Sequence, residues 1–489
     1  MDGRRWPIRW PSRFLRDDRG NAAVIFALVL LPLLGGAGLA IDSMLAFTVE
    51  ERLQKSLDAA GLAAGQTSVT ANIVPDARAF FRSNFDAGPD LATAADPVVQ
   101  VSPDGTEITL TASATMPTYF MHLFGQGSVT VNARSVINRE TRGLELVLVL
   151  DVTKSMVTDN KIGSLKTAAN EMLDIIYGKR NIVDDLWVGV VPYIAAVNVG
   201  KKNKSFLDSG DRVNVSPSDF NPDNWEGCVL ARPSPRDQTD DPPSVQRFSS
   251  YFFPRVTEPD WVGFHNDWGP GRSPQVHQYE VKERGIPYWE GWGPNAGCPS
   301  PITPLVRQKS QIVNAIAELG PWARGGTQVN TGLVWGWRVI SPRWRGLWDG
   351  SPSNLPLNYN TANMDKVIVV LTDGENQHLV QSYGGGYVSP YNAYEDYTNL
   401  GITPTSQKQA TDAARSILDQ KTRNVCNAIK GKNIFIYTIT FGSIDQTGRN
   451  LMRDCASESK FYFHSPDGAA LRSAFRAIGN QLNNLRIKR

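Results

Sequence analysis

Asp151, Thr153 and Ser155 place one acid and two hydroxyls at alternate positions directly after an apolar run. Together they offer three hard oxygen donors, the ligand type that suits Mg²⁺ or Mn²⁺. A strand that merely ends in a turn would also present Asp, Thr and Ser, so this spacing alone leaves both readings open. Two distant stretches extend the pattern. Residues 325–333, GGTQVNTGL, read as a glycine-flexible loop running into a helix and carry Thr327. Residues 365–376, DKVIVVLTDGEN, end a second apolar run in Asp373 and a glycine.

The elements that must position these side chains are strands. Leu144 to Leu150 is apolar apart from Glu145, the composition of a strand covered by helices on both faces of a parallel sheet. In open sheets of that kind, ligands gather outside the carboxyl ends of the strands, which is where Asp151 and Asp373 fall.

The three pieces resemble the metal-ion-dependent adhesion site of von Willebrand factor A domains: D-x-S/T-x-S, then a Thr, then an Asp. The resemblance implies an α/β fold with a doubly wound, mostly parallel sheet over residues 142–485. It also implies that Thr153, Ser155 and Thr327 supply hydroxyl ligands, while Asp151 and Asp373 hold the ion directly or through water. Thr153 stands where Ser is commoner in that family; it keeps the oxygen and adds a methyl.

Alternating patterns continue through the domain. The helix after Ser155 carries Ile162, Leu165, Ala169, Met172 and Ile176 on one face. The strand DLWVGVVPYIAAV is expected near a sheet edge, because Pro192 cannot donate to a ladder. Alternation resumes at Pro304 with a helix to about Leu319. The last helix has Leu471, Phe475, Ile478 and Leu482 as its stripe. Residues 200–302 break the pattern and hold 14 of the 31 prolines and 5 of the 13 tryptophans. That is too aromatic for a disordered linker, so an ordered insertion is expected, with Trp225, Trp289 and Trp292 filling a small core of its own.

With 489 residues the chain exceeds one ordinary core, and two or three domains are expected. Its formal charge of +2 gives no global field towards nucleic acid. Residues 1–20 hold six Arg and three Asp, and Ala22 to Ile41 carries no charge. Twenty apolar residues cross a hydrocarbon core of roughly 30 Å as a helix, and Arg on the N-terminal flank predicts a cytoplasmic N-terminus. The expected organisation is therefore a basic cytoplasmic tail over 1–20 and a transmembrane helix over 21–41. A pilin-like helix with a small α/β segment follows over 42–140, and then the large domain. In the third segment Leu53, Leu57, Ala60 and Ala64 form a helical stripe, a helix is expected from Asp76 to Phe85, and PVVQVS and TEITLTASAT flank a hairpin turn at Pro103-Asp104-Gly105. A third strand, SVTVNARSVIN, follows.

Cys228, Cys298, Cys426 and Cys455 form no C-x-x-C pair, which argues against zinc. An even number beyond a membrane favours disulfides. The helix–strand–helix context suggests 426 with 455, and so 228 with 298, although sequence alone permits three connectivities.

RGNAAVIFAL, Asp42 and LQKSLDAAGLAA resemble TadE/TadG-type assembly proteins of tight-adherence (Flp) pili. Gly20 lacks the Glu five residues on that prepilin processing usually wants, so a permanent anchor in a bacterial inner membrane is expected, with the rest of the chain periplasmic or extracellular. The five histidines (His122, His265, His277, His378, His464) are scattered and no G-x-x-x-x-G-K-S/T loop occurs, so no enzyme is expected. His378, in a loop, is expected to be solvated. The resemblance implies an assembly component whose cation engages an acidic side chain of another pilus subunit; the alternative is a surface adhesin using the same site on an external ligand.

Overall fold

A computed structural model describes residues 20–66, 73–85, 91–102, 107–138, 142–209, 225–251, 295, 297–322, 326–378, 381–383, 386–388, 393–394, 397–403 and 406–486. The basic tail, the Pro103–Gly105 turn, His265, His277, Trp289 and Trp292 lie outside the described residues. The chain divides into two compact units, residues 1–140 with 487–489 and residues 141–486.

The first unit is built on one helix of 47 residues, α1 (Gly20–Gln66), about 70 Å long at 1.5 Å per residue. Its first half is apolar and largely exposed, long and apolar enough to cross a membrane. Its second half carries the expected stripe: Leu53, Leu57, Ala60 and Ala64 are fully buried. They pack against α2 (Ile73–Asn84) and an antiparallel sheet of β1 (Thr93–Ala94), β2 (Val98–Val101), β3 (Glu107–Pro117) and β4 (Ser128–Asn138). Strand β3 alternates buried and exposed side chains, as one covered face requires. Gly61 lets α1 approach the sheet, since a Cβ there would stand 2.8 Å from Ile137 Cγ1.

The second unit is mixed α/β with a parallel-rich sheet. In chain order it comprises β5 (Gly143–Asp151), α3 (Lys161–Tyr177), β6 (Leu186–Tyr193), β7 (Val197–Asn198), β8 (Cys228–Val229), β9 (Thr303–Val306), α4 (Lys309–Ala317) and α5 (Val329–Ile340). Then follow β10 (Met364–Thr372), β11 (Gln381–Tyr383), β12 (Gly386–Val388), α6 (Gln407–Lys430), β13 (Phe435–Phe441), α7 (Gln446–Cys455), β14 (Tyr462–Ser465) and α8 (Gly468–Arg486). The main sheet has the order β14-β13-β10-β5-β6-β9, parallel throughout except for β9.

Every residue of β5 is buried, because the strand has a core on each face. Leu144, Leu146, Leu148 and Leu150 join α3 and α8 on one side, with Leu471, Phe475, Ile478 and Leu482 at full burial. Val147 and Val149 face α5, α6 and α7 on the other. Glu145, the polar exception, is fully buried opposite Lys366 of β10 and ion-paired to it, and its Oε1 accepts the Leu357 N–H at 2.7 Å. Burial pushes the Glu145 carboxyl up and the Lys366 ammonium down, each opposed by the other's charge.

Strand β6 lies near the sheet edge as expected, one strand in from it: the short β9 pairs with it antiparallel through Val188↔Val306 and Val190↔Thr303. Pro192 is accommodated because β9 ends its pairing before reaching it. The stretch read as helix from Pro304 begins instead with β9, and α4 starts only at Lys309. Trp225 does not serve a separate insertion core. It lies in the second core of the main domain with Val197, Phe206 and Trp344, its Nε1 donating to the Cys228 carbonyl at 2.7 Å.

Both disulfides form as paired from sequence context, Cys228–Cys298 and Cys426–Cys455, with Cα separations of 5.7 and 5.2 Å. The described part of the insertion is tied to the sheet-covering helices by buried polar groups. Asp240 accepts from Ser341 Oγ at 2.5 Å and Tyr359 Oη at 2.7 Å, and Asp237 accepts from Lys421 Nζ at 2.5 Å.

Candidate metal centre

Strands β5 and β10 are neighbours, with Leu150 opposite Leu371, so Asp151 and Asp373 emerge side by side at their carboxyl ends. The chain leaves β5 towards β6 and leaves β10 towards β13, in opposite directions across the sheet. The crevice between two such strands is where an open α/β sheet exposes strand ends to a ligand.

Asp151 closes β5 fully buried. Its Oδ1 accepts the Thr153 N–H at 2.9 Å and the Thr153 hydroxyl at 2.6 Å; its Oδ2 accepts the Thr372 hydroxyl at 2.9 Å. Thr153 Oγ1 lies 2.9 Å from Ser155 Oγ, which donates to Asp373 Oδ1 at 2.6 Å. A continuous chain of oxygens thus runs Asp151–Thr153–Ser155–Asp373. Beyond it, Lys161, at the start of α3, donates to Asp373 Oδ2 at 2.7 Å. Burial, and then the charge of Asp373, raise the Asp151 carboxyl to about 7, against the lowering effect of its hydrogen bonds from Thr153 and Thr372.

Thr327 comes from the loop before α5. The loop is held by a backbone pair with the segment after Asp373: Thr327 N–H to the Gln377 carbonyl at 3.1 Å and Gln377 N–H to the Thr327 carbonyl at 2.7 Å. Gly326 turns into this pair with φ +83°, and a Cβ there would stand 2.3 Å from the Gln377 oxygen. Thr327 Oγ1 lies 3.6 Å from where a Cβ on Gly374 would be. Four of the five residues singled out in the sequence are therefore hydrogen-bonded into one cluster, and the fifth stands beside it. Asn376 fixes the same corner, accepting the Val329 N–H at 2.9 Å and donating to Asp419 at 2.8 Å.

Residues that the sequence did not flag complete the site. Thr372 precedes Asp373 at the end of β10 and donates its hydroxyl to Asp151 Oδ2. Lys161, in the first turn of α3, has a side chain only 15% exposed. Tyr193 closes the floor, its hydroxyl donating to the Leu371 carbonyl at 3.1 Å. His378 corrects an expectation: it is fully buried rather than solvated, 3.4 Å from Gln328 Nε2, and burial lowers its imidazole to about 4.

The donor set suits a hard divalent cation. Two carboxylates that crowd each other's charge, linked by hydroxyls with free lone pairs, gain from a cation between them. Among the described residues no three or more His, Cys, Asp or Glu side chains gather, so the thiolate and imidazole cages of softer metals find no counterpart there.

Comparison with solved structures returns distant likenesses. The pilus adhesin SpaC from Lactobacillus rhamnosus GG shares 11% identity at a TM-score of 0.35, over 82% of this chain and 35% of that one. The vWF domain of the type V pili tip protein Mfa5 from Porphyromonas gingivalis shares 11% identity at 0.36, over 71% and 97%. Proximal thread matrix protein 1 from the mussel byssus, solved with a zinc-occupied MIDAS motif, shares 11% at 0.30, over 70% and 46%. The chain spans about a third of the length of SpaC, and likenesses this weak decide neither ligand nor activity. No curated protein matches the sequence. Residues 20–67 match the family model described as putative Flp pilus-assembly TadE/G-like.

Proposed function

We propose that this chain is a membrane-anchored, non-enzymatic component of tight-adherence (Flp) pilus assembly. Its doubly wound, von Willebrand factor A-like domain binds a partner through a divalent cation, Mg²⁺ or Mn²⁺. The observation that carries the reading is the hydrogen-bonded oxygen chain Asp151–Thr153–Ser155–Asp373 at the ends of two adjacent parallel strands. The family match over residues 20–67 supports the pilus assignment, and α1 supports a single-pass anchor in a bacterial inner membrane with the N-terminus cytoplasmic.

In this reading Thr153, Ser155 and Thr327 offer hydroxyl oxygens, and Asp151 and Asp373 offer charge directly or through water. With few carboxylates in the shell, a bound cation keeps an electrophilic position for an acidic side chain from another subunit. Thr372 and the Thr153 N–H hold the Asp151 carboxylate in one orientation. Asn376 and the Thr327–Gln377 pair hold the facing loop.

The test is a strain carrying Asp151→Ala, compared with wild type at equal protein level for surface pili and for attached cells. Loss of pili is the expected result. Persistent pili with reduced attachment would move the site to the adhesin reading, and no change in either would remove the site from function.

A further inference from the structure

Asp42 is the first charged residue after the apolar stretch of α1, and it is completely buried. Its carboxylate does not meet water. Oδ1 accepts the Tyr119 N–H at 3.0 Å, and Oδ2 accepts the N–H groups of Phe120 at 2.8 Å and Met121 at 2.7 Å. These three donors open the turn that joins β3 to β4, residues 118–127, whose sequence TYFMHLFGQG contains no Asp, Glu, Lys or Arg.

The turn lies along α1 on its glycines. A Cβ on Gly38 would stand 2.5 Å from the Phe120 ring, and one on Gly35 would stand 3.3 Å from the Phe124 ring. Gly35 is six residues before Ile41, so the Phe124 contact sits about 9 Å down the helix axis from the end of the uncharged stretch. On the outer side the turn is apolar and bare: Leu123 is 76% exposed and Phe124 70%. Met44 and Phe47 are also exposed, but at about 100° per residue they lie on the opposite face of α1 from Gly35, Gly38 and Asp42, so the bare surface of the turn joins the span through the helix flanks rather than through them.

We propose that the 118–127 turn enters the lipid bilayer beside α1, in the leaflet at the C-terminal end of the span, as a second membrane contact; this rests on the reading of α1 as a membrane anchor. The occupant of the bare surface is lipid because the surface is continuous with the span itself and uncharged along its length. Loop backbone survives in an apolar medium only where its polar groups are bonded internally. Asp42 meets that condition for three successive N–H groups, Thr118 Oγ1 bonds the Gln126 carbonyl, and the N–H groups of Leu123 and Gly125 bond within the turn at 3.0 Å each. The turn in return removes the Asp42 charge from lipid.

The test uses the full-length protein in phosphatidylethanolamine–phosphatidylglycerol vesicles, about one chain per vesicle, with the native disulfides intact. A single added cysteine carries an environment-sensitive NBD group at Leu123→Cys, at Leu28→Cys in the span, or at Thr111→Cys on the exposed face of β3. Quenching by nitroxide-bearing acyl chains and by aqueous iodide is then compared. The expected result is that position 123 behaves like 28, quenched from the lipid and sheltered from iodide, and that adding Asp42→Ala shifts it towards iodide. If 28 reports lipid while 123 behaves like 111, the turn stays in water and the proposal fails with the anchor standing. If 123 is sheltered from both quenchers, protein covers it and the lipid occupant is wrong. If 28 itself reports water, the anchor reading fails and takes the proposal with it.

Discussion

Lys161 already neutralises Asp373 at 2.7 Å, so under the proposed function its ammonium would compete with a cation for that carboxylate. Lys161→Met, which keeps the stem and removes the charge, is expected to tighten Mg²⁺ or Mn²⁺ binding about tenfold, or about 1.4 kcal/mol, by isothermal titration. Weaker binding would mean that Lys161 supports the site rather than competing for it. His378 predicts a pH effect of definite sign. The folded imidazole gains its proton only near 4, the unfolded one near 6.5. Below 6.5 the unfolded chain binds more protons, so stability falls as pH drops towards 4, by up to about 3 kcal/mol. Asp151, raised to about 7, acts in the opposite direction without cation, so the readout is the difference between wild-type and His378→Gln stability profiles. A flat difference between pH 7 and 4 would sink the argument. Asp151, Thr153, Ser155 and Asp373 were legible because strand ends convert alternate spacing into proximity. Thr372, Lys161 and the Glu145–Lys366 pair were not, since each depends on the β5–β10 register or on where α3 lands, and neither is written in local sequence.

At the scale of elements, α5 carries the Thr327 loop, and two glycines seat it on the sheet. A Cβ on Gly332 would stand 2.6 Å from the Tyr193 ring, and one on Gly336 2.5 Å from Val149 Cγ2. Gly336→Leu is therefore expected to cost roughly 1–3 kcal/mol in denaturant unfolding and to weaken cation binding by lifting the loop; unchanged stability would show that α5 is free to shift. The Cys426–Cys455 bridge joins α6 to α7 across β13. Closing a loop of 29 residues, it contributes roughly 3–4 kcal/mol in the chain-entropy account, which the double Cys→Ser variant measures against wild type. Helix and strand periods made most of these elements readable, the full burial of Leu471, Phe475, Ile478 and Leu482 among them. Strand β9 escaped notice for a physical reason: it is four residues long and contains Pro304, a residue that sheets tolerate at an edge. Its antiparallel pairing covers β6, the strand whose own proline had suggested a place near the edge.

For the whole molecule, the topology in the proposed function draws on three features. The Arg-rich flank precedes the uncharged stretch of α1, which favours a cytoplasmic N-terminus. Both disulfides lie in the second unit, and such bonds persist in oxidising compartments. The exposed apolar half of α1 leads into a buried half that packs in the first unit's core. An alkaline phosphatase fused after Arg489, which is active only when its own disulfides form outside the cytoplasm, should be active in the bacterial cell. A green fluorescent protein that matures only in the cytoplasm should be dark at the same junction and bright when fused before Met1. The reverse pattern would place the oxygen cluster in the cytoplasm, where it could not meet a subunit of an external pilus, and the proposed function would fall with the topology. The expected pattern narrows the search for the acidic partner to proteins exposed on the far side of that membrane, where Asp151 and Asp373 would present the cation.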